Sequence, residues 1–577
     1  MLRPGLLALT SLAVSVAVSV AVSVAGLAMP ATADDSAGPD PAPPGLVVTE
    51  DGGSFYLDEW GPPPSTPTVT SRSVATALAS YTEADAFALH SRPGAAQKIF
   101  LDFDGGSLLS TNSWLLQGLS TLLFPGWSLD GSAAFSDTER ATVIEVWARM
   151  AEDFAPFDID VTTEEPASGG LFRSSSGDTS YGTRVAFSSG TSISAALCRS
   201  ACGGLAWIGT FDAILSGGET RSPAWVFPSS LGNRAKSMAE AGSHEAGHTL
   251  GLGHDGTTTS GYYSGMSLWG PLMGSPYSAG VTQWSKGDYA NANNHEDDLA
   301  VAQTNGVTLR ADEAGDSVAT AVPLAALPGG RGVITTRDDE DWITVTDCSG
   351  TVTVHADPAS VGGNLDIGLE LRGPTGTLIT SAATATNRMT SGVTGLDAGF
   401  SRTLSGGPYH VVVKGIGSGT TSPSTWPSIG YDDYGSLGAY RLTVTGCSAG
   451  EVPPGDDPPV DEPPVVEPPP TTPATRPGAP SRPRALPGTR GGIRTIVARW
   501  TPPAVTGGTS ITGYQITAYR IGVTGRVVAR ASARTLAAGT HRVSLRLPRG
   551  RWVVRVRARN AVGWGPLSAA SARVVPR

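Results

Sequence analysis

Cysteine is scarce in this chain of 577 residues: Cys198, Cys202, Cys348 and Cys447 are all there is. No two of them have the two-residue spacing of a Cys-x-x-Cys pair, which argues against a cysteine zinc site or a redox motif. Charge is also sparse, at 16% of residues, and its distribution is uneven. Lys, Asp and Glu are absent from residues 481–577, a stretch that holds 18 Arg. Long apolar runs are missing beyond the one from about Leu6 to Ala28, so no later segment is suited to span a bilayer. Only eight histidines occur, and three of them lie within eleven residues.

What the chain does contain is glycine (73) and proline (44), the mark of a β-rich, turn-rich protein with at least one irregular linker. The length exceeds one hydrophobic core and suggests three or four domains. Met1-Leu2-Arg3, the apolar run and Ala31-Thr32-Ala33 read as a secretory signal peptide over residues 1–33. Export agrees with an even cysteine count, which pairs as Cys198–Cys202 within one loop and Cys348–Cys447 across a module. By the chain-entropy model the second bridge is worth roughly 4–5 kcal/mol. Outside the Arg-rich stretch the chain holds 22 basic and 51 acidic residues, so its two parts carry opposite charge and suggest different partners.

The histidines stand in His244-Glu245-Ala-Gly-His248-Thr-Leu-Gly251-Leu-Gly-His254, followed by Asp255. On a helix, His244 and His248 project from one face. Gly251 can take the positive φ that ends the helix and turns the chain, which brings His254 to the same point. Three neutral imidazoles suit Zn²⁺ with a fourth position left for water, and Glu245 can reach that water. This pattern resembles the metzincin metallopeptidase signature. The resemblance implies one catalytic Zn²⁺ on His244, His248 and His254, with Glu245 as general base, and a Met-containing turn beneath the metal. Met273, in a Gly/Pro-framed segment, is the candidate for that turn, with Met266 as the alternative. Some metzincins carry a tyrosine two residues after this Met that helps hold the oxyanion; here the nearest match, Tyr277, lies four residues on.

Residues 34–95 are Pro-, Ser- and Ala-rich and read as a propeptide or disordered pro-segment; they contain no cysteine that could block a zinc ion. The catalytic domain is expected over 96–310, opening on the alternating Gln97–Asp104. Ser136-Asp-Thr-Glu139 is a capping box ahead of a helix with Val143, Val146, Trp147, Met150 and Phe154 at helical spacing. Strands follow at 157–161, 184–187, 205–208 and 224–227, before a histidine-bearing helix from near Arg234. Residues 281–298 resemble the tail of secreted bacterial, reprolysin-like metzincins. Asp297 and Asp298 are acids that could bind Ca²⁺, though adjacent acids more often cap a helix, and His295 reads as a surface residue.

Residues 311–449 turn all-β, with pieces such as Asp339-Glu-Asp341-Trp342, Gly407-Pro-Tyr409 and Gly438-Ala-Tyr440 that resemble the pre-peptidase C-terminal domain. Residues 450–482 form a Pro-rich linker, with 12 prolines among the 30 residues from Glu451 to Pro480. Residues 483–577 look like a fibronectin type III sandwich with a core Trp500, but Trp552 stands where that family usually has a corner tyrosine. Arg555, Arg557 and Arg559 alternate onto one strand face, suited to an anionic cell-wall or extracellular polymer or to plain solvation. The fold class expected is therefore multidomain: an α+β metzincin-like catalytic domain followed by two all-β sandwich modules. The expected function is a secreted zinc endopeptidase acting on proteins or peptides, without nucleic acid as a partner. The alternative is an exported adhesin that keeps an inactive metzincin-like scaffold.

Overall fold

A computed structural model describes residues 45–49, 52–58, 81–82, 85–132, 134–198, 202–266, 268–389, 392–419, 430–449, 475–488, 494–503, 505–506, 511–522, 526–531, 534–560 and 562–577. The signal peptide over 1–33 and most of the Pro-rich linker lie outside these residues. Among the described residues no helix is long and apolar enough to cross a membrane.

The first domain is built on a seven-stranded sheet. Its strands, in chain order, are β1 (Leu46–Val48), β2 (Ser54–Asp58), β3 (Gln97–Asp102), then β6 (Ile159–Thr162), β7 (Gly182–Phe187), β8 (Gly204–Trp207) and β9 (Ala224–Val226); β4 (Gly105–Ser107) and β5 (Leu123–Pro125) pair separately as a small ribbon. The sheet order is β1-β2-β8-β9-β7-β3-β6. The β3/β6, β3/β7 and β7/β9 pairs are parallel, whereas β8 runs antiparallel to both β9 and β2.

Two of these strands correct the expectation for residues 34–95. The composition reads as a propeptide or disordered segment, yet Leu46–Val48 and Ser54–Asp58 are ordered and extend the sheet. Period-2 alternation explains how so short a strand is held. Phe55 and Leu57 enter a core with Leu205, Trp207 and Trp114, while Tyr56 and Asp58 point to the opposite face.

The helix Asp137–Asp153 starts at the expected capping box: Ser136 Oγ accepts from the Glu139 N–H, and the Glu139 carboxylate accepts from the Ser136 N–H at 2.7 Å. Its apolar stripe packs on the histidine-bearing helix Ala235–Thr249, which also lies across β7, β8 and β9. The first domain closes where Arg310 N–H donates to Pro156 O at 2.9 Å.

Two sandwiches follow. In the first, Val322–Pro323, Glu340–Val345, Tyr409–Gly415, Ile367–Arg372 and Leu378–Ala383 form one sheet, and Arg331–Ile334, Gly438–Thr445, Ser349–Pro358 and Ala398–Ser405 form the other. Cys348–Cys447 ties this module, and Cys198–Cys202 follows the short helix Thr191–Leu197. One apolar core runs without a break from the first domain into this sandwich, joining Met150, Met238 and Trp284 to Ile343, Val411 and Leu442. The last module has three strands (Arg484–Pro487, Thr495–Arg499, Arg542–Arg546) facing a sheet centred on Gly513–Ile521 and Arg551–Asn560. Trp500 lies buried between them. Trp552 supplies a corner hydrogen bond of its own, its indole N–H donating to Pro548 O at 2.9 Å.

Candidate metal centre

The helix Ala235–Thr249 places His244 and His248 one turn apart, and Gly251 follows with φ of +92°, the left-handed turn that glycine takes without steric cost. That turn swings His254 back: His248 Nε2 and His254 Nε2 are 3.0 Å apart. The other ring nitrogen of each helical histidine faces a backbone carbonyl, His244 Nδ1 to Leu272 O at 3.0 Å and His248 Nδ1 to Leu252 O at 2.8 Å. With the proton on Nδ1, donated to those carbonyls, each ring turns an Nε2 lone pair to a common point. Burial pushes His244 and His254 below their ordinary range, against the opposing pull of Asp58, and so favours the neutral imidazole that a metal binds.

A fourth donor comes from a part of the chain with no motif. Asp58, at the end of β2, is fully buried and sets Oδ1 2.9 Å from His254 Nε2 and Oδ2 3.6 and 3.7 Å from His244 and His248 Nε2. Asp58, His244, His248 and His254 form a group that could hold a metal ion. Burial alone would raise the Asp58 carboxyl, but His254, His244 and His248 together hold it well below the usual carboxylate range. The Tyr262 hydroxyl donates to Asp58 Oδ1 at 2.7 Å, and the Tyr56 ring stacks on His248 and lies 3.9 Å from His254.

Glu245 is fully buried beside this group, with neither carboxylate oxygen in a geometrically sound hydrogen bond. Burial, reinforced by the Asp58 charge, holds it well above the usual carboxylate range. Met273 is buried against Gly247 of the helix, and its carbonyl accepts from the Asp255 N–H at 2.9 Å, which sets it against the segments that carry His248 and His254. Met266 instead sits with a separate cluster of Tyr263, Trp269 and Tyr289. Tyr277 is close enough for Asp58 and Glu245 to raise its hydroxyl further than burial does alone.

The remaining sequence candidates stay apart from the centre. His295 is exposed. Asp297 caps the helix Asp298–Thr304, accepting from Ala300 N–H at 2.9 Å, and Asp298 accepts from Ser285 N–H at 2.8 Å. A second acidic group, Asp312, Asp316 and Asp339, lies in the first sandwich with two of its members exposed. Three residues at the centre carry no signal in the motif: Asp58, Tyr56 and Tyr262. The trace that could have revealed the first two is the alternation of Ser54-Phe55-Tyr56-Leu57-Asp58 inside a Pro-rich stretch.

The Arg-rich module meets the first domain. Arg499 pairs with Asp104 at 3.2 Å, Arg542 donates to Asp104 O at 3.0 Å, and Arg484 approaches Glu165 at 3.6 Å. On the far strand, Arg557 donates to Gln515 Oε1 and lies over Trp564, while Arg555 and Arg559 are exposed.

No protein-family model matches the chain, and no curated protein matches it. Among solved structures, it is similar to the FN5 domain of Drosophila Lar, at 26% identity over 17% of this chain and 95% of that one, with a TM-score of 0.14. It is also similar to titin kinase with its flanking domains (22% identity, 17% of each chain, TM-score 0.15), and so spans 17% of that structure. A redesigned β-sandwich protein shares 20% identity over 17% of this chain and 92% of that one, with a TM-score of 0.13.

Proposed function

We propose that this chain is an exported zinc endopeptidase of the metzincin type. The observation that carries the reading is the convergence of three buried imidazoles with Glu245 beside them. The donor set fits zinc: in a tetrahedral site with Zn–N of 2.0–2.1 Å, neighbouring donors are about 3.3 Å apart. The donor distances of 2.9–3.7 Å bracket that spacing. His244, His248 and His254 would hold the ion, which when bound supplies a Lewis acid and a water activated near neutral pH.

The chain's own residues supply the rest. Glu245 takes the proton of the attacking water and passes it to the leaving nitrogen, a role that suits a carboxyl buried beside the three imidazoles. The carbonyls of Leu272 and Leu252 fix two of the imidazoles. Tyr262 and Tyr277 are the hydroxyl groups near enough to steady developing negative charge. Met273 forms the apolar floor. Export rests on the signal-like residues 1–33 and agrees with the two disulfides. The exposed Arg555 and Arg559 are available to dock an anionic polymer.

The test is denatured casein incubated with the protein cut after its amino-terminal segment, with and without a zinc chelator, beside Glu245→Gln. Cleavage should be lost with chelator and fall by at least 10³-fold in Glu245→Gln, while one zinc per chain remains bound. Substantial turnover by Glu245→Gln would overturn the role given to that residue. Zinc binding without any cleavage would move the reading to a binding protein.

A further inference from the structure

We propose that the first sandwich is a working part of the metal centre, with Asn364, on one of its loops, as a positioning residue that holds His244 from two sides. The inference rests on the zinc reading of that centre and adds to it a residue from outside the first domain.

Asn364 lies between the strands Ser349–Pro358 and Ile367–Arg372, and two hydrogen-bonded paths lead from it to His244. Along the first, its side-chain amide donates to Asp153 Oδ1 at 2.8 Å, and Asp153 Oδ2 accepts from Ser243 Oγ at 2.6 Å. Ser243 is the helix residue next to His244, so this path fixes the turn of helix that carries the imidazole. Along the second, the Asn364 carbonyl accepts from the Gln283 side-chain amide, and the Gln283 carbonyl accepts from Leu272 N–H at 2.8 Å. Leu272 O then faces His244 Nδ1 at 3.0 Å. One path sets the backbone under His244, and the other sets the acceptor that orients its ring. Ring orientation decides where the Nε2 lone pair points, and losing such outer partners weakens metal binding by about 10–100-fold.

The joint is closed to water. Asn364, Asp153, Ser243, Gln283 and Leu272 are all buried, so a bond broken here has no solvent molecule to replace it. The remaining polar atoms are engaged as well: the Asp153 carbonyl accepts from the Trp284 indole N–H at 2.7 Å, and Gln283 Oε1 from the Trp269 indole N–H at 2.8 Å. Two glycines let the sandwich come this near. A Cβ on Gly362 would stand 3.0 Å from Arg149 Cα, and one on Gly435 would stand 2.4 Å from the Trp284 carbonyl. Asn364 is thereby wedged between the end of the helix Asp137–Asp153 and the strand Val281–Gln283. A module that served only for targeting would need none of these bonds.

The experiment uses the full zinc-loaded chain and follows the rate at which zinc passes to an excess of a colorimetric chelator. Asn364→Ala deletes the donor to Asp153, and Ser243→Ala deletes the hydroxyl at the far end of the same path. Tyr434→Phe is the control. Its hydroxyl joins the same two domains, accepting from Leu299 N–H at 3.1 Å and donating to Asp297 at 2.8 Å, without touching either path. We expect zinc to leave Asn364→Ala and Ser243→Ala roughly tenfold faster than the parent, and Tyr434→Phe at the parent's rate. With cobalt in place of zinc, the visible absorption should shift in the two path variants and not in the control, because it reports ligand geometry and not stability. The parent's release rate in both path variants would overturn the proposal and leave the zinc reading intact. Equal acceleration in Tyr434→Phe would overturn it too, by reducing the seam to a structural support. If Asn364→Ala failed to fold, Ser243→Ala would decide by itself, since it removes one hydroxyl from a helix. A parent that binds no zinc would overturn the reading of the centre together with this one.

Discussion

Gly204 lacks a side chain where Glu245 needs the space: a Cβ on residue 204 would stand 2.2 Å from Glu245 Oε1 and 2.6 Å from the Trp225 carbonyl. The backbone carbonyl cannot yield, so a methyl there must push the carboxylate out of its place beside the imidazoles. Misplacing a catalytic group by about 1 Å can cost on the order of 10²-fold. Gly204→Ala should therefore lower kcat of the cut enzyme by one to two orders of magnitude while zinc content, set by the histidines, stays at one per chain. Steady-state kinetics beside metal analysis decide it, and an unchanged kcat would sink the proposed geometry. At this scale the histidines were legible because their spacing is local: a turn of helix and one glycine bring them together. Asp58 was not, because its place beside them depends on strand pairing between distant parts of the chain, for which the residues around Asp58 carry no fixed spacing.

Strands and helices announced themselves wherever a period was long enough to count. The capping box at Ser136 and the stripe behind it gave the helix Asp137–Asp153 almost to the residue. The strand Ser54–Asp58 escaped because five alternating residues in a proline-rich setting carry little weight by themselves, and their order comes from pairing with β8. The last module shows the reverse case, a visible departure with an invisible remedy. Trp552 stands in place of the expected tyrosine, and only the structure reveals that its indole N–H reaches Pro548 O at 2.9 Å. Trp552→Phe keeps an aromatic ring in that core but deletes the donor and some volume. A lost hydrogen bond of this kind costs about 1 kcal/mol, with more for the smaller ring. Urea titration followed by the fluorescence of the remaining tryptophans should show a lower midpoint for the transition of this module and no change in zinc content. An unaltered midpoint would mean that the bond contributes nothing to its stability.

At the scale of the molecule, the opposite charges of the two parts find one another in part: Arg499 and Arg542 converge on Asp104, and Arg484 approaches Glu165. Composition revealed the asymmetry but not this internal partner, since charge counts carry no geometry. Composition likewise drew a boundary at residue 310 that the apolar core ignores. Across that seam, Asp153 accepts from Ser243 Oγ at 2.6 Å and from Asn364 Nδ2 at 2.8 Å, linking the residue before His244 to the sandwich. Its neighbour Glu152 accepts from Ala439 N–H at 3.2 Å. Burial, with the Asp153 charge adding to it and Arg310 opposing, raises Glu152 to about 8; Asp153, raised chiefly by burial and then by Glu240, lies at about 7. A carboxyl raised in the folded state favours folding fully below its unfolded pKa, near 4.5 for Glu152, and loses that contribution as pH climbs through about 8. Glu152→Gln retains an acceptor for Ala439 and cannot ionise. The variant should come close to the parent's melting temperature near pH 5 and exceed it clearly at pH 8.5, each kcal/mol of relieved burial cost raising it by roughly 2–4 °C. Because Asp153 still titrates in both proteins, the quantity that decides is the difference between them. A difference that stays constant across pH would show that Glu152 does not carry the charge burden at this seam.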